Sequence, residues 1–134
     1  MLAPGWTILR LTLHVLAAAV WVGGQLTLAG LVPALRQAGG DATTRAARRF
    51  AELAWPAFVV LVGTGIWNLS AVPPSSQSQA WQVVLWVKLA LVAMAGVTTW
   101  LHQRARSPKA LASYGALSGL SSVAILVLGV ALAG

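Results

Sequence analysis

Four stretches of predominantly apolar residues, each about 20 residues or longer, constrain this chain more than anything else in it. About 20 such residues, wound as an α-helix, cross the ~30 Å hydrocarbon core of a bilayer. The runs predict helices over about residues 8–34, 50–71, 81–102 and 110–132. Composition agrees, since only 8% of the 134 residues are charged and 58% are hydrophobic, whereas a soluble domain carries roughly 25% charged residues. No polar face remains to hydrate a globule, so the bilayer must be the solvent. The first run is interrupted only by Arg10, His14 and Gln25. It continues well past Ala17-Ala18-Ala19, which favours a retained span over a secretory signal.

The segments between the runs are short. Gly39-Gly40-Asp41 breaks the chain after the first span, with Asp41 as the expected N-cap of the second. Val72-Pro73-Pro74-Ser75-Ser76 ends the second span, and Ser107-Pro108 separates the third from the fourth. Pro56 is expected to be tolerated inside the second span, because neighbouring helices in a membrane satisfy the backbone group it frees. Together these features predict an all-α fold: a single four-span domain, 1–134, folded as an antiparallel four-helix integral membrane bundle.

Nine Lys and Arg against two acids give a net charge of +7. In a soluble protein that excess would suggest nucleic acid. Here the basic residues cluster in the turns joining spans one to two (Arg36, Arg45, Arg48, Arg49) and three to four (Arg104, Arg106, Lys109). Positive-inside bias and anionic headgroups account for both clusters, and no base-reading motif accompanies them. The bias places the basic turns in the cytoplasm and both termini outside it. Trp6, Trp67, Trp81 and Trp86 then fall near the outer ends and Trp55 and Trp100 near the inner ones, as interfacial anchors. Gly23 and Gly24, Gly63 and Gly65, and Gly115 with Gly119 are the candidate close-packing positions.

An ionisable side chain in the hydrocarbon costs roughly 2.5–3.5 kcal/mol on insertion scales, so each one needs a reason. His14 falls ~9 Å below the outer start of span one and Lys88 ~10 Å below that of span three, which sets them at one expected depth. Helical spacing joins His14, Ala18, Trp21 and Gln25 on one face. It likewise joins Trp81, Leu85, Lys88, Val92, Ala95, Thr99 and His102 on another. Thr64 and Asn68, one turn apart, and Ser118, Ser121 and Ser122 add polar groups. An outer-half polar pocket is one reading of this set. A lysine snorkelling to the headgroups and a histidine bonded to a neighbouring helix is the other. Glu52 beside Arg48 and Arg49 reads as an ordinary helix-end pair. His14 and His102 fall near opposite faces of the bilayer and cannot share a ligand. With no cysteine, thiolate sites and disulfides are excluded. The chain also lacks a phosphate-binding glycine loop, a Ser/His/Asp constellation and a carboxylate pair.

The run from Leu13 to Gly24, with His14, Trp21 and the glycine pair as landmarks, resembles the opening of CopD-type copper-resistance membrane domains. Arg48 to Trp55, Thr64-Gly65-Ile66-Trp67 and Trp86-Val87-Lys88-Leu89 follow the same pattern, so the resemblance covers spans one to three. The wider group is similar to HemJ-type protoporphyrinogen oxidases, in which a first-helix histidine and a third-helix lysine are the important polar residues. The matching positions here are His14 and Lys88. The resemblance thus implies two chemistries, copper uptake or haem b with porphyrinogen oxidation. Cu(I) pathways want soft donors, and this chain offers only Met1 and Met94. Haem asks for one imidazole, an apolar slot and a cation for its propionates. His14 is the expected axial ligand, Lys88 or Arg10 the cation, and Trp21 and Asn68 complete the expected cofactor site. A membrane oxidoreductase, a copper transport component and a cofactor-free assembly subunit, alone, as a homo-oligomer or within a larger complex, all remain open.

Overall fold

In the computed structural model, which describes residues 2–134, every regular element is helical. The chain forms two compact units, Met1–Val72 and Pro73–Gly134. In the first, α1 (Gly5–Ala18) passes through a π-helical turn (Ala19–Gly23) into α2 (Gly24–Ala38), and α3 (Ala42–Ala71) returns alongside. In the second, a single 3₁₀ turn (Pro74–Ser76) precedes α4 (Gln79–Arg104) and α5 (Pro108–Ala133). Four helical segments are long and apolar enough to cross a bilayer: Gly5–Ala38, Ala42–Ala71, Gln79–Arg104 and Pro108–Ala133. The chain is an integral membrane protein. Its many exposed large side chains, among them Val15, Leu16, Leu120 and Val130, are the surface that lipid covers.

The helices extend further than hydropathy predicts, because the polar flanks continue the winding. Arg45, Arg48 and Arg49 therefore sit in the first turns of α3 rather than in a loop. Asp41 occupies the N-cap position of α3, but its side chain makes no capping bond. It pairs instead with Arg45 at 3.1 Å. The break ahead of it rests on Gly39 (φ 76°) and Gly40 (φ 57°), a left-handed conformation open to glycine at little cost. Glu52 pairs with Arg49 at 3.0 Å, as its spacing suggests, and both ion pairs are solvent-exposed and contribute little stability. α4 and α5 carry true side-chain caps. Ser78 accepts from the Trp81 amide and Ser107 from the Ala110 amide, with Pro108 at the first helical position.

Unit one is an antiparallel pairing of α1–α2 with α3. His14 meets Thr64 near one end, and a Cβ at Gly24 would run into the Phe50 ring further along. Between them lies the core of Trp21, Val22 and Ala54, with Phe50, Trp55, Phe58 and Leu61 packed against it. The π turn explains how adjacent residues Trp21 and Val22 are both buried. An extra residue in the turn widens it and re-phases the helix, so two consecutive side chains face inward and the face continues in α2. Sequence periodicity carries no mark of such a turn. Below it, the buried position next to His14 is Ala17 rather than Ala18.

Unit two pairs α4 with α5, also antiparallel. Its seam is the stripe from Trp81 to His102 that helical spacing predicts. Leu85 and Ala95 are buried on it, Thr98 lies beside it, and Ala95 has no exposure at all. Trp81 Nε1 donates to the Leu132 carbonyl at 3.2 Å, so this tryptophan pins the two helices together as well as lying near an end. Thr99 and Ser118 bond hydroxyl to hydroxyl across the seam at 2.5 Å. Ser121 bonds instead to the carbonyls of Leu117 and Ser118 on its own helix. Of the glycines expected to allow close approach, Gly24, Gly65 and Gly115 each face a neighbouring side chain, whereas Gly23, Gly63 and Gly119 face open space.

Candidate functional site around His14

Arg10, His14 and Ala17 of α1 and Trp21 of the π turn that follows it are spaced four, three and four residues apart, one helical face. α3 answers with Asn68, Thr64, Leu61 and Ala57 in the reverse direction. At the centre of this ladder, His14 Nδ1 and Thr64 Oγ1 are 2.7 Å apart. Thr64 is only 6% exposed. Its hydroxyl lies 2.7 Å from the Val60 carbonyl and 3.2 Å from that of Leu61. Carbonyls only accept and a hydroxyl has one proton, so Thr64 donates back along its own helix and accepts from His14. In the tautomer that carries its proton on Nδ1, His14 donates to Thr64 Oγ1, the form in which an imidazole ligates a metal through its other nitrogen.

Gly65 lies beside the same ring, where a Cβ would come 3.8 Å from His14 Cε1, an ordinary contact. Deeper in the unit, Trp21 is 2% exposed and closes an aromatic cluster. Its ring centroid is 4.6 Å from that of Phe58 and 5.7 Å from that of Trp55, the latter edge-on. Trp55, expected at the interface, belongs to this cluster too, 5.8 Å from Phe58. In the other direction, the pairing of His14 with Thr64 sets Arg10 level with Asn68, each one turn away along an antiparallel helix. Arg10 Nε and Asn68 Oδ1 are both buried, and neither has a hydrogen-bond partner among the described residues.

Of the expected site residues, His14, Trp21, Arg10 and Asn68 belong to unit one, and Lys88 belongs to unit two. There Lys88 is half-buried against α5, where a Cβ at Gly129 would come 3.3 Å from its Nζ. His102 donates from Nδ1 to the Leu111 carbonyl at 2.8 Å and fills the space left by Gly115. It is a helix-hairpin latch. Arg104 stacks on Trp100, 4.2 Å from the ring centroid. Spacing alone marks Thr64 and Asn68 as a pair but not as the partners of His14 and Arg10. That follows only from the register of α1 on α3. Gly129 carries no sequence signal for its place beside Lys88.

Among the described residues, no three His, Cys, Asp or Glu side chains converge to hold a metal ion.

No curated protein and no solved structure matches the chain. The family model described as Copper resistance protein D matches residues 44–134. The match takes in nearly all of α3 and the whole of α4 and α5. It includes the last helix and does not include α1 with His14. Since it covers more than half of a chain with four membrane-crossing helical segments, this protein belongs to the CopD family of copper-resistance membrane proteins.

Proposed function

We propose that this CopD-family protein holds a haem b within the membrane through His14 and serves membrane redox or porphyrin chemistry of the protoporphyrinogen-oxidase type. The observation that carries the reading is the 2.7 Å contact of His14 Nδ1 with Thr64 Oγ1, whose hydroxyl also reaches the Val60 carbonyl; on this reading the His14 proton sits on Nδ1, directed at that oxygen. An imidazole held in that tautomer offers Nε2 as the axial donor. The group supplies one-electron exchange when bound. The protein's part is to fix the ring, keep water from it with apolar helix faces, and raise its basicity through the Thr64 bond. The donor set fits this group, because one imidazole suffices and no second protein ligand is required.

The experiment is a haem titration followed by absorbance, with ¹⁵N NMR of His14 in the haem-free protein. The expected results are an unprotonated Nε2 before haem is added and a tenfold to hundredfold loss of haem affinity in Thr64→Val, with Thr64→Ser close to wild type. A proton on Nε2, or a Thr64→Val variant that binds haem unchanged, would count against the reading.

A second reading follows from the family description, which names copper resistance. On that reading the chain is a copper-handling membrane component with His14 as one ligand, the remaining donors coming from another subunit or a larger complex. Stoichiometric copper lost on His14 replacement, without haem, would establish it.

Orientation is part of the same proposal. The basic turns lie in the cytoplasm of a bacterial cytoplasmic membrane, because positive charges near span ends resist translocation. Labelling should find Arg45 and Arg106 inside and Ser76 outside. Neutralising Arg45, Arg48, Arg49, Arg104 and Arg106 together should yield mixed orientations. Ser76 and Arg45 on one side of the membrane would overturn the four-span topology.

A further inference from the structure

Arg10 Nε and Asn68 Oδ1 are the buried side-chain polar atoms left without a hydrogen-bond partner among the described residues. They stand at one level on facing helices, one turn beyond the His14–Thr64 bond. Buried polar groups in native proteins are satisfied by protein, by water or by something bound. Neither acidic side chain serves Arg10, since Asp41 is paired with Arg45 and Glu52 with Arg49. The guanidinium cannot discharge, and an unbalanced cation within a span calls for an anion. The oxygen and nitrogen ends of the Asn68 amide have nearly the same shape. A half turn of that amide exchanges the acceptor Oδ1 for the donor Nδ2, so that Arg10 and Asn68 would both offer donors to one acceptor group.

We propose that Arg10 and Asn68 form a binding site for an oxyanion, a carboxylate or phosphate group, one helical turn beyond His14. The oxyanion is either the carboxylate arm of a ligand seated at His14 or the phosphate of a lipid headgroup. Both present the same acceptor oxygens. The site does not depend on His14 holding haem.

The test uses the full chain in a phosphate-free maltoside micelle, with the Arg10 Nε–H and Asn68 side-chain amide followed by ¹⁵N NMR. Added inorganic phosphate should displace both resonances saturably. The response should vanish in Arg10→Gln, weaken about tenfold in Asn68→Leu, and persist in His14→Ala. Displacement by phosphatidylglycerol but not by haem identifies the lipid source. Displacement by haem but not by haem dimethyl ester identifies the ligand arm. If phosphate, phosphatidylglycerol and haem all leave both resonances unmoved, while a through-space contact to water persists, a bridging water alone fills the gap and the proposal is wrong. The wild-type titration decides this even if a variant fails to fold.

Discussion

Replacing His14 by Ala is expected to abolish the Soret absorbance of a protein that still folds and stays monodisperse in detergent, while replacing His102 by Ala leaves it intact. The two histidines make chemically similar bonds, each through Nδ1. Their partners differ in consequence. Thr64 holds the His14 ring between α1 and α3. His102 closes the α4–α5 hairpin through the Leu111 carbonyl and packs on Gly115. Its loss should therefore appear as lower thermal stability rather than as lost colour. In His14→Ala, Thr64 keeps its bond to Val60 and the helix pairing survives on the Trp21 core. A His14→Ala protein with an unchanged Soret band would remove His14 from the iron. Copper content measured on the same samples separates the second reading, which predicts metal loss without any Soret band to lose.

Trp21→Ala is expected to destabilise the protein by about 3–5 kcal/mol, the usual cost of truncating a buried tryptophan. Trp21 is 2% exposed and is the one large side chain held fully inside the core cluster. Phe58, Trp55 and Ala54 surround it on α3. Association of helices in lipid draws on packing rather than on expulsion of water, so a cavity at this position has no hydrophobic compensation. The π turn makes the effect larger, since re-phasing the helix is worthwhile only if both Trp21 and Val22 pack. Thermal or sodium dodecyl sulfate unfolding in mixed micelles reads the loss. A drop no greater than that of a lipid-facing control, Leu120→Ala (70% exposed), would show that Trp21 does not organise unit one.

The four spans were legible because a bilayer leaves so few alternatives. A run of about 20 apolar residues has to satisfy its own backbone, and only a helix does so within one segment. The α4 seam was legible for the same kind of reason. From Trp81 to His102 an unbroken helix keeps its period, and Leu85, Ala95 and Thr99 fall where spacing puts them. On α1 the period fails at Ala19, since a π turn leaves no residue signature, and Ala17 rather than Ala18 lies below His14. Helix ends were under-read because charged residues such as Arg45 and Arg48 look like loop to a hydropathy scan yet wind readily. Asp41 stands at the N-cap position its sequence context gives it, but sequence does not show that its side chain pairs with Arg45, four residues on, instead of capping the helix.

For the site, the sequence singles out His14, Arg10, Thr64 and Asn68 as costly groups in an apolar setting. It cannot say which faces which. Pairing depends on the register of α1 against α3, and that is fixed by the length of the Gly39-Gly40 turn together with the close approach of Gly24 to Phe50. Once the register is known, His14 meets Thr64 and Arg10 stands level with Asn68.

Haem binding through His14 is tested most directly by the metal content of the wild-type protein, expressed with ample haem and copper and purified without added chelator. One haem b per chain is expected, seen as a Soret band and confirmed by pyridine haemochrome and iron analysis, with copper well below stoichiometric. A colourless protein carrying one copper per chain, lost when His14 is replaced, would contradict it.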